Sequence, residues 1–138
     1  MYLLYTFVIM KKFSFTSLTI VICVAVSCRS FVTTTLEVNL FEKTLNQTSN
    51  PQLVDVRTPQ EYSAGHLQGA ILMNIKDASF DSLLLTLDKT RPVFVYCRVG
   101  KRSLEAANIL EKYKFKVVYN LDGGINAWKD KGKAVISD

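Results

Sequence analysis

Along residues 36 to 133, short apolar runs alternate with segments whose apolar positions recur at helical spacing. Leu53-Val54-Asp55-Val56 reads as a buried strand, and Val93-Phe94-Val95-Tyr96 has no polar alternation, the mark of a strand covered on both faces. Ala70 to Met73 and Val117-Val118-Tyr119 predict two further short strands, and Leu36 with Val38 a first one. Between them, Asn39 can cap a helix through about Gln47, with Leu40, Phe41, Thr44 and Leu45 at helical spacing. Thr58-Pro59-Gln60-Glu61 combines an N-cap, a proline at N1 and a glutamate at N3, a capping box that opens a short helix ended by Gly65. Asp77 to Leu87 predicts a helix with Phe80, Leu83, Leu84 and Leu87 on one side. Cys97 to Arg102 reads as a loop and Ser103 to about Tyr113 as a helix, and a last helix carrying Trp128 follows Asp122-Gly123-Gly124. Strands alternating with helices indicate an α/β domain with a mostly parallel sheet, in which ligands gather at the carboxyl ends of central strands. Cys97 falls at such an end.

The first residues follow a different pattern. Met1 to Met10 is nearly all apolar, Lys11 and Lys12 follow, and a second apolar stretch runs from Phe13 to Val26. Read from Met10, the order is a charged start, an apolar run and small residues, which is the layout of an export signal over residues 1–28 with Met10 as its expected start. Ala25-Val26-Ser27-Cys28 resembles a bacterial lipobox, which implies lipid on Cys28, a membrane anchor, and a protein exported to the periplasm or held on a membrane facing outside the cytoplasm. An ordinary signal peptide or a short uncleaved anchor is the alternative. The apolar run is shorter than the roughly 20 residues of a spanning helix. Residues 29–35, polar and rich in threonine, are expected to be a short tether, and residues 36–138 the domain.

Export changes the cysteine and charge counts. The three cysteines are Cys23, Cys28 and Cys97. Cleavage before Cys28 discards the first and lipid blocks the second, so Cys97 is left as a lone thiol in an oxidising compartment. The formal charge of +5 drops by two, to +3, once Lys11 and Lys12 leave. Lys112, Lys114 and Lys116 form a mild cluster without interleaved aromatic and basic residues, so a solvated face is expected and no nucleic-acid partner. One histidine and one remaining thiol cannot build a zinc site, and there is no GxxxxGK[ST] phosphate loop. Neither a metal nor a separate cofactor is expected, and the domain is expected to be a monomer.

The candidate chemistry lies in Cys97-Arg98-Val99-Gly100-Lys101-Arg102-Ser103. A helix start has unpaired N–H groups and a partial positive charge, successive loop amides can form an anion-binding nest, and Gly100 suits a backbone position with positive φ. Arg98, Lys101 and Arg102 add three cations within five residues. Such surroundings lower a thiol's pKa from about 8.5 towards or below neutrality, which makes Cys97 a nucleophile without an adjacent base. Asp55 and Arg57 are expected to be structural, pairing with each other or with turn backbone, with Asp55 positioning the loop as the alternative. The lone His66 is expected to be structural, and Trp128 to pack its helix onto the sheet.

These motifs in order resemble the rhodanese family, single-domain type. Asp55-Val56-Arg57 with Glu61-Tyr62 looks like its first signature, Gly65-His66-Leu67-Gln68-Gly69-Ala70 its second, Cys97 to Ser103 its active-site loop, and Asn120-Leu121-Asp122-Gly123-Gly124 with Ala127-Trp128 its closing signature. Gln68 departs from the proline common there. The resemblance implies an α/β rhodanese-like fold with a central, mostly parallel five-stranded sheet flanked by helices. It also implies sulfane-sulfur transfer, with Cys97 as catalytic nucleophile and Arg98, Val99, Gly100, Lys101, Arg102 and Ser103 binding substrate. Cys97 would take sulfur from a donor such as thiosulfate and pass the persulfide sulfur to cyanide in the assay or to a thiol in the cell. Arg102 is the first candidate to grip a sulfonate-like group, because its planar fork suits oxyanions, and Arg98 the second. Phosphatase and arsenate-reductase relatives place their arginine one position later, where this chain has Ser103, so the shorter loop favours sulfur over a tetrahedral oxyanion. Those enzymes and a non-catalytic binding module are the alternatives.

Overall fold

The computed structural model describes residues 31–137. The export signal, Cys28 and the first two tether residues lie outside them. In chain order the elements are β1 (Val32–Leu36), α1 (Val38–Gln47), β2 (Gln52–Asp55), α2 (Pro59–Ser63), β3 (Ile71–Leu72), α3 (Phe80–Leu84), β4 (Val93–Tyr96), α4 (Lys101–Lys112), β5 (Val117–Leu121) and α5 (Gly124–Asp130). The five strands form one parallel sheet in the order β1-β5-β4-β2-β3, with β4 at its centre.

All four residues of β4 are buried, and they alternate between two cores. Val93 and Val95 face a cluster that includes Phe80 and Leu84 of α3 and Ala106, Ala107 and Leu110 of α4. Phe94 and Tyr96 face Val38 and Phe41 of α1 with Ile125 and Trp128 of α5. Phe41 meets Phe94 edge-on, with ring centroids 5.4 Å apart. Burying a Phe or Leu side chain contributes about 1.5–3 kcal/mol, so two such layers against a nearly continuous apolar strand place β4 firmly at the centre.

The N-terminal part of the domain differs from the sequence expectation. Residues 32–35, expected as tether, belong to β1, which pairs with β5 from Val32–Val117 to Leu36–Leu121. Threonines are polar, but β-branched, and they suit an edge strand whose partner is apolar. Val38 lies in α1 rather than in a strand. Glu37, not Asn39, caps that helix, accepting from the amides of Asn39 and Leu40. The capping box at Thr58 and Glu61 is formed in full. The helix expected over Asp77 to Leu87 contracts to α3, with hydrogen-bonded turns on either side.

Candidate active site

β4 delivers Cys97 to the carboxyl edge of the sheet, and the chain turns there into α4. The turn is tighter than the sequence suggests. Gly100 is the N-cap at φ 89°, and α4 starts at Lys101, so Lys101, Arg102 and Ser103 are its first turn. Within this turn the Gly100 amide donates to the Cys97 sulfur at 3.2 Å, and the Ser103 hydroxyl lies 3.5 Å from it. The amides of Val99 and Ser103 also point at the sulfur. This is the geometry of an anion nest at a helix start. Cys97 is only 1% exposed, and burial pushes its thiol pKa up. The Ser103 hydroxyl and the amides of Ser103, Val99 and Gly100 outweigh that and hold it below the ordinary thiol value.

A second segment fastens the turn from behind. The Ile125 amide donates to the Cys97 carbonyl at 2.8 Å, and the Asn126 amide to the Arg98 carbonyl at 3.1 Å. This contact requires glycine at 124. Its φ is 59°, and a Cβ there would stand 2.4 Å from the Cys97 carbonyl oxygen and 2.7 Å from the Arg98 carbonyl carbon. The closing signature therefore serves the loop: Gly124 lets the start of α5 approach the Cys97 backbone closely enough to bond it.

The cations are not equivalent. Arg102 makes a two-pronged ion pair with Glu61 of α2, at 2.8 and 2.7 Å. Its hydrogen bonds with Arg102 and with Thr58 bring the Glu61 carboxyl down to about 2. Arg102 still lies close enough to the Cys97 sulfur for the two to interact, but its forked face is turned to Glu61. The sequence shows the capping role of Glu61 and not this second one, because its partner is supplied by a helix that follows β4. Arg98, Val99 and Lys101 are exposed. Ser103 is buried.

Asp55 and Arg57 pair with each other, Arg57 Nε lying 2.9 Å from both carboxylate oxygens, and Arg57 also donates to the Gly65 carbonyl. The pair is buried, with the guanidinium 5.6 Å from the Tyr96 ring centre. His66 is buried as well. Its ring stacks on Tyr62 with centroids 3.8 Å apart, Nδ1 lies 3.1 Å from the Tyr62 carbonyl oxygen, and its backbone bridges to Ile136. The Trp128 indole donates to the Ala134 carbonyl while its ring packs in the core below the sheet.

A five-stranded parallel sheet that presents one buried, amide-cradled cysteine at its carboxyl edge defines a single-thiol α/β domain. The family model of the rhodanese-like domain matches residues 37–131, and the chain belongs to that family. Over 83 residues it is 39% identical to the uncharacterized protein YqhL of Bacillus subtilis (strain 168), a match covering 60% of this chain and 64% of that protein, so somewhat less than two thirds of the relative's length is spanned. Among solved structures, a rhodanese-like domain protein from Staphylococcus aureus superposes with a TM-score of 0.65 at 25% identity, covering 75% of this chain and 97% of that one. The polysulfide-sulfur transferase homodimer from Wolinella succinogenes does so with a TM-score of 0.64 at 27% identity, covering 80% of each chain.

Proposed function

We propose that this chain is a sulfurtransferase that carries sulfane sulfur on Cys97. The observation that carries this reading is the convergence of the Gly100, Val99 and Ser103 amides and the Ser103 hydroxyl on one buried sulfur. A cradle of donors around a single sulfur stabilises the Cys97 thiolate both as the attacking nucleophile and as the leaving group of the return transfer. Membership of the rhodanese-like family and similarity to a polysulfide-sulfur transferase support it.

In the first half-reaction the Cys97 thiolate attacks the terminal sulfur of a donor such as thiosulfate. A new S–S bond forms on Cys97, the donor's S–S bond breaks, and sulfite leaves with the bonding pair. In the second, an acceptor nucleophile (cyanide in the assay or a thiolate in the cell) takes that outer sulfur, and Cys97 departs as thiolate. No proton need be delivered to either leaving group, which agrees with a site that holds hydrogen-bond donors around the sulfur and places His66 under the α2 turn.

The test is intact-mass spectrometry after incubation with thiosulfate or polysulfide, together with thiocyanate production from thiosulfate and cyanide. The expected result is a gain of one sulfur atom, abolished in Cys97→Ala along with turnover. A Cys97→Ala variant that retains the cellular role would instead establish a binding module and overturn the reading. We also propose that the chain works outside the cytoplasm on a lipid anchor at Cys28, on the strength of its first 28 residues. The mass of the protein isolated from cells reads this directly, and an unprocessed, unlipidated N-terminus would refute it.

A further inference from the structure

Beside the cysteine loop lies a recess of about 200 Å³ whose walls include Arg57, Glu61, Arg98, Asn126 and Lys129. Two of these side chains are neutralised where they stand. Arg57 is paired with Asp55, and Glu61 with Arg102. Arg98 and Lys129 remain. Among the described residues neither side chain has a hydrogen-bond or ion-pair partner, and both are exposed. The recess thus has two uncompensated positive charges, one from the residue after Cys97 and one from α5. Its architecture is held by the Asn126 amide on the Arg98 carbonyl, which ties the two sides together.

We propose that this recess is the acceptor subsite, and that it selects thiols bearing a carboxylate. The proposal rests on the sulfurtransferase reading and adds the chemical class of the second substrate. Cys97 does not line the recess. A group bound there is offset from the cysteine, so a ligand that joins it to the outer persulfide sulfur, which stands about 2 Å beyond Sγ, is served by a linker between its charged end and its sulfur. The sulfonate of thiosulfate has no such linker, being bonded directly to the sulfur it donates. A small mercapto-carboxylate has one: its carboxylate meets Arg98 and Lys129 while its thiolate points at the loop. The acceptor thiolate then forms the new S–S bond to the outer sulfur, the Cys97 S–S bond breaks, and the Cys97 thiolate takes the electron pair. Arg102, whose fork is closed by Glu61, leaves the reading of acceptor charge to these two cations.

The experiment begins from protein loaded with persulfide and freed of donor, the loading being verified by mass. Discharge is then timed with 3-mercaptopropionate, 2-mercaptoethanol and cysteamine at equal thiolate concentration and low salt. The expected order is anionic, neutral, cationic, with the anionic thiol ahead of the neutral one by about three- to tenfold, the scale of one or two solvent-exposed ion pairs. Added salt compresses the order. Lys129→Gln narrows it and Lys129→Glu turns it towards cysteamine. The order of the three thiols within each protein is the readout, so a general loss of activity does not imitate it. Equal discharge by all three thiols, or an order unmoved in Lys129→Glu, overturns the subsite while leaving the persulfide chemistry standing. Failure of Cys97 to take up sulfur at all overturns both.

Discussion

At the Cys97 sulfur, burial and hydrogen bonding act in opposite directions, and hydrogen bonding wins. The Ser103 hydroxyl is the strongest of the groups that lower the thiol's pKa, so Ser103→Ala should move it back up towards the ordinary value. The ultraviolet absorbance of the thiolate, titrated against pH, reads the shift. Persulfide loading near neutral pH should slow by roughly three- to tenfold, the net scale of one ordinary intramolecular hydrogen bond. The sign of the linkage follows. With the folded-state pKa below the unfolded one, the thiolate contributes stability above the pKa of the unfolded thiol, and that contribution fades as pH falls through the folded value. Ser103→Ala should diminish this pH dependence. An unchanged titration in the variant would show that the backbone amides alone set the thiol. The place of Ser103 at the start of the helix was legible in the sequence, while that of Lys101 and Arg102 in the same first turn was not, because Gly100 ends the loop early by taking up a positive φ.

At the level of elements, the catalytic turn is held by a neighbouring helix start as much as by its own strand. Gly124 is the point of closest approach. Gly124→Ala places a methyl group against backbone atoms that cannot swing away, in a left-handed conformation, and should destabilise the fold by about 2–4 kcal/mol. Urea unfolding measures this. The surviving folded fraction should also load sulfur poorly, since the bonds from Ile125 to Cys97 and from Asn126 to Arg98 are displaced. Gly69 is the control. It also has positive φ, but a Cβ there meets nothing within 4 Å, so Gly69→Ala should cost only about 1 kcal/mol and leave sulfur loading intact. A Gly124→Ala protein as stable and as active as the parent would remove α5 from the account of the site.

For the whole molecule, the first strand decides where the domain begins. β1 forms one edge of the sheet along its full length with β5, and Thr35 accepts from the Asn120 side chain. A chain starting at residue 31 should keep the stability of the full domain. One starting at residue 36 loses most of β1 and should lose at least about 2 kcal/mol, or roughly 10 °C in Tm for a domain of this size. Thermal unfolding of the two truncations distinguishes them, and equal Tm values would restore residues 32–35 to the role of a tether. The sheet order also explains why the site sits where it does. β4 and β5 are adjacent, so the turns following them, one with Cys97 and one with Gly124, emerge side by side.

What the sequence determined by itself was local or periodic. The uninterrupted apolar run at β4 marks a central strand, the capping box at Thr58 is written in four consecutive residues, and the nest around Cys97 follows from a glycine and a helix start within one turn. The alternation of strands with helices was sufficient for a parallel α/β sheet. Tertiary structure decided what depends on neighbours distant along the chain. Threonines at 33–35 became a strand because β5 offers them a ladder, a choice that polarity along the chain does not reveal. Glu61 met Arg102 across 41 positions, turning the fork expected to grip an anion towards a carboxylate of the protein. Lys129, an exposed residue of the last helix, came to line the same recess as Arg98. Charge along a chain says which cations are present. Only the fold decides which of them find a partner within hydrogen-bonding distance and which remain for a ligand.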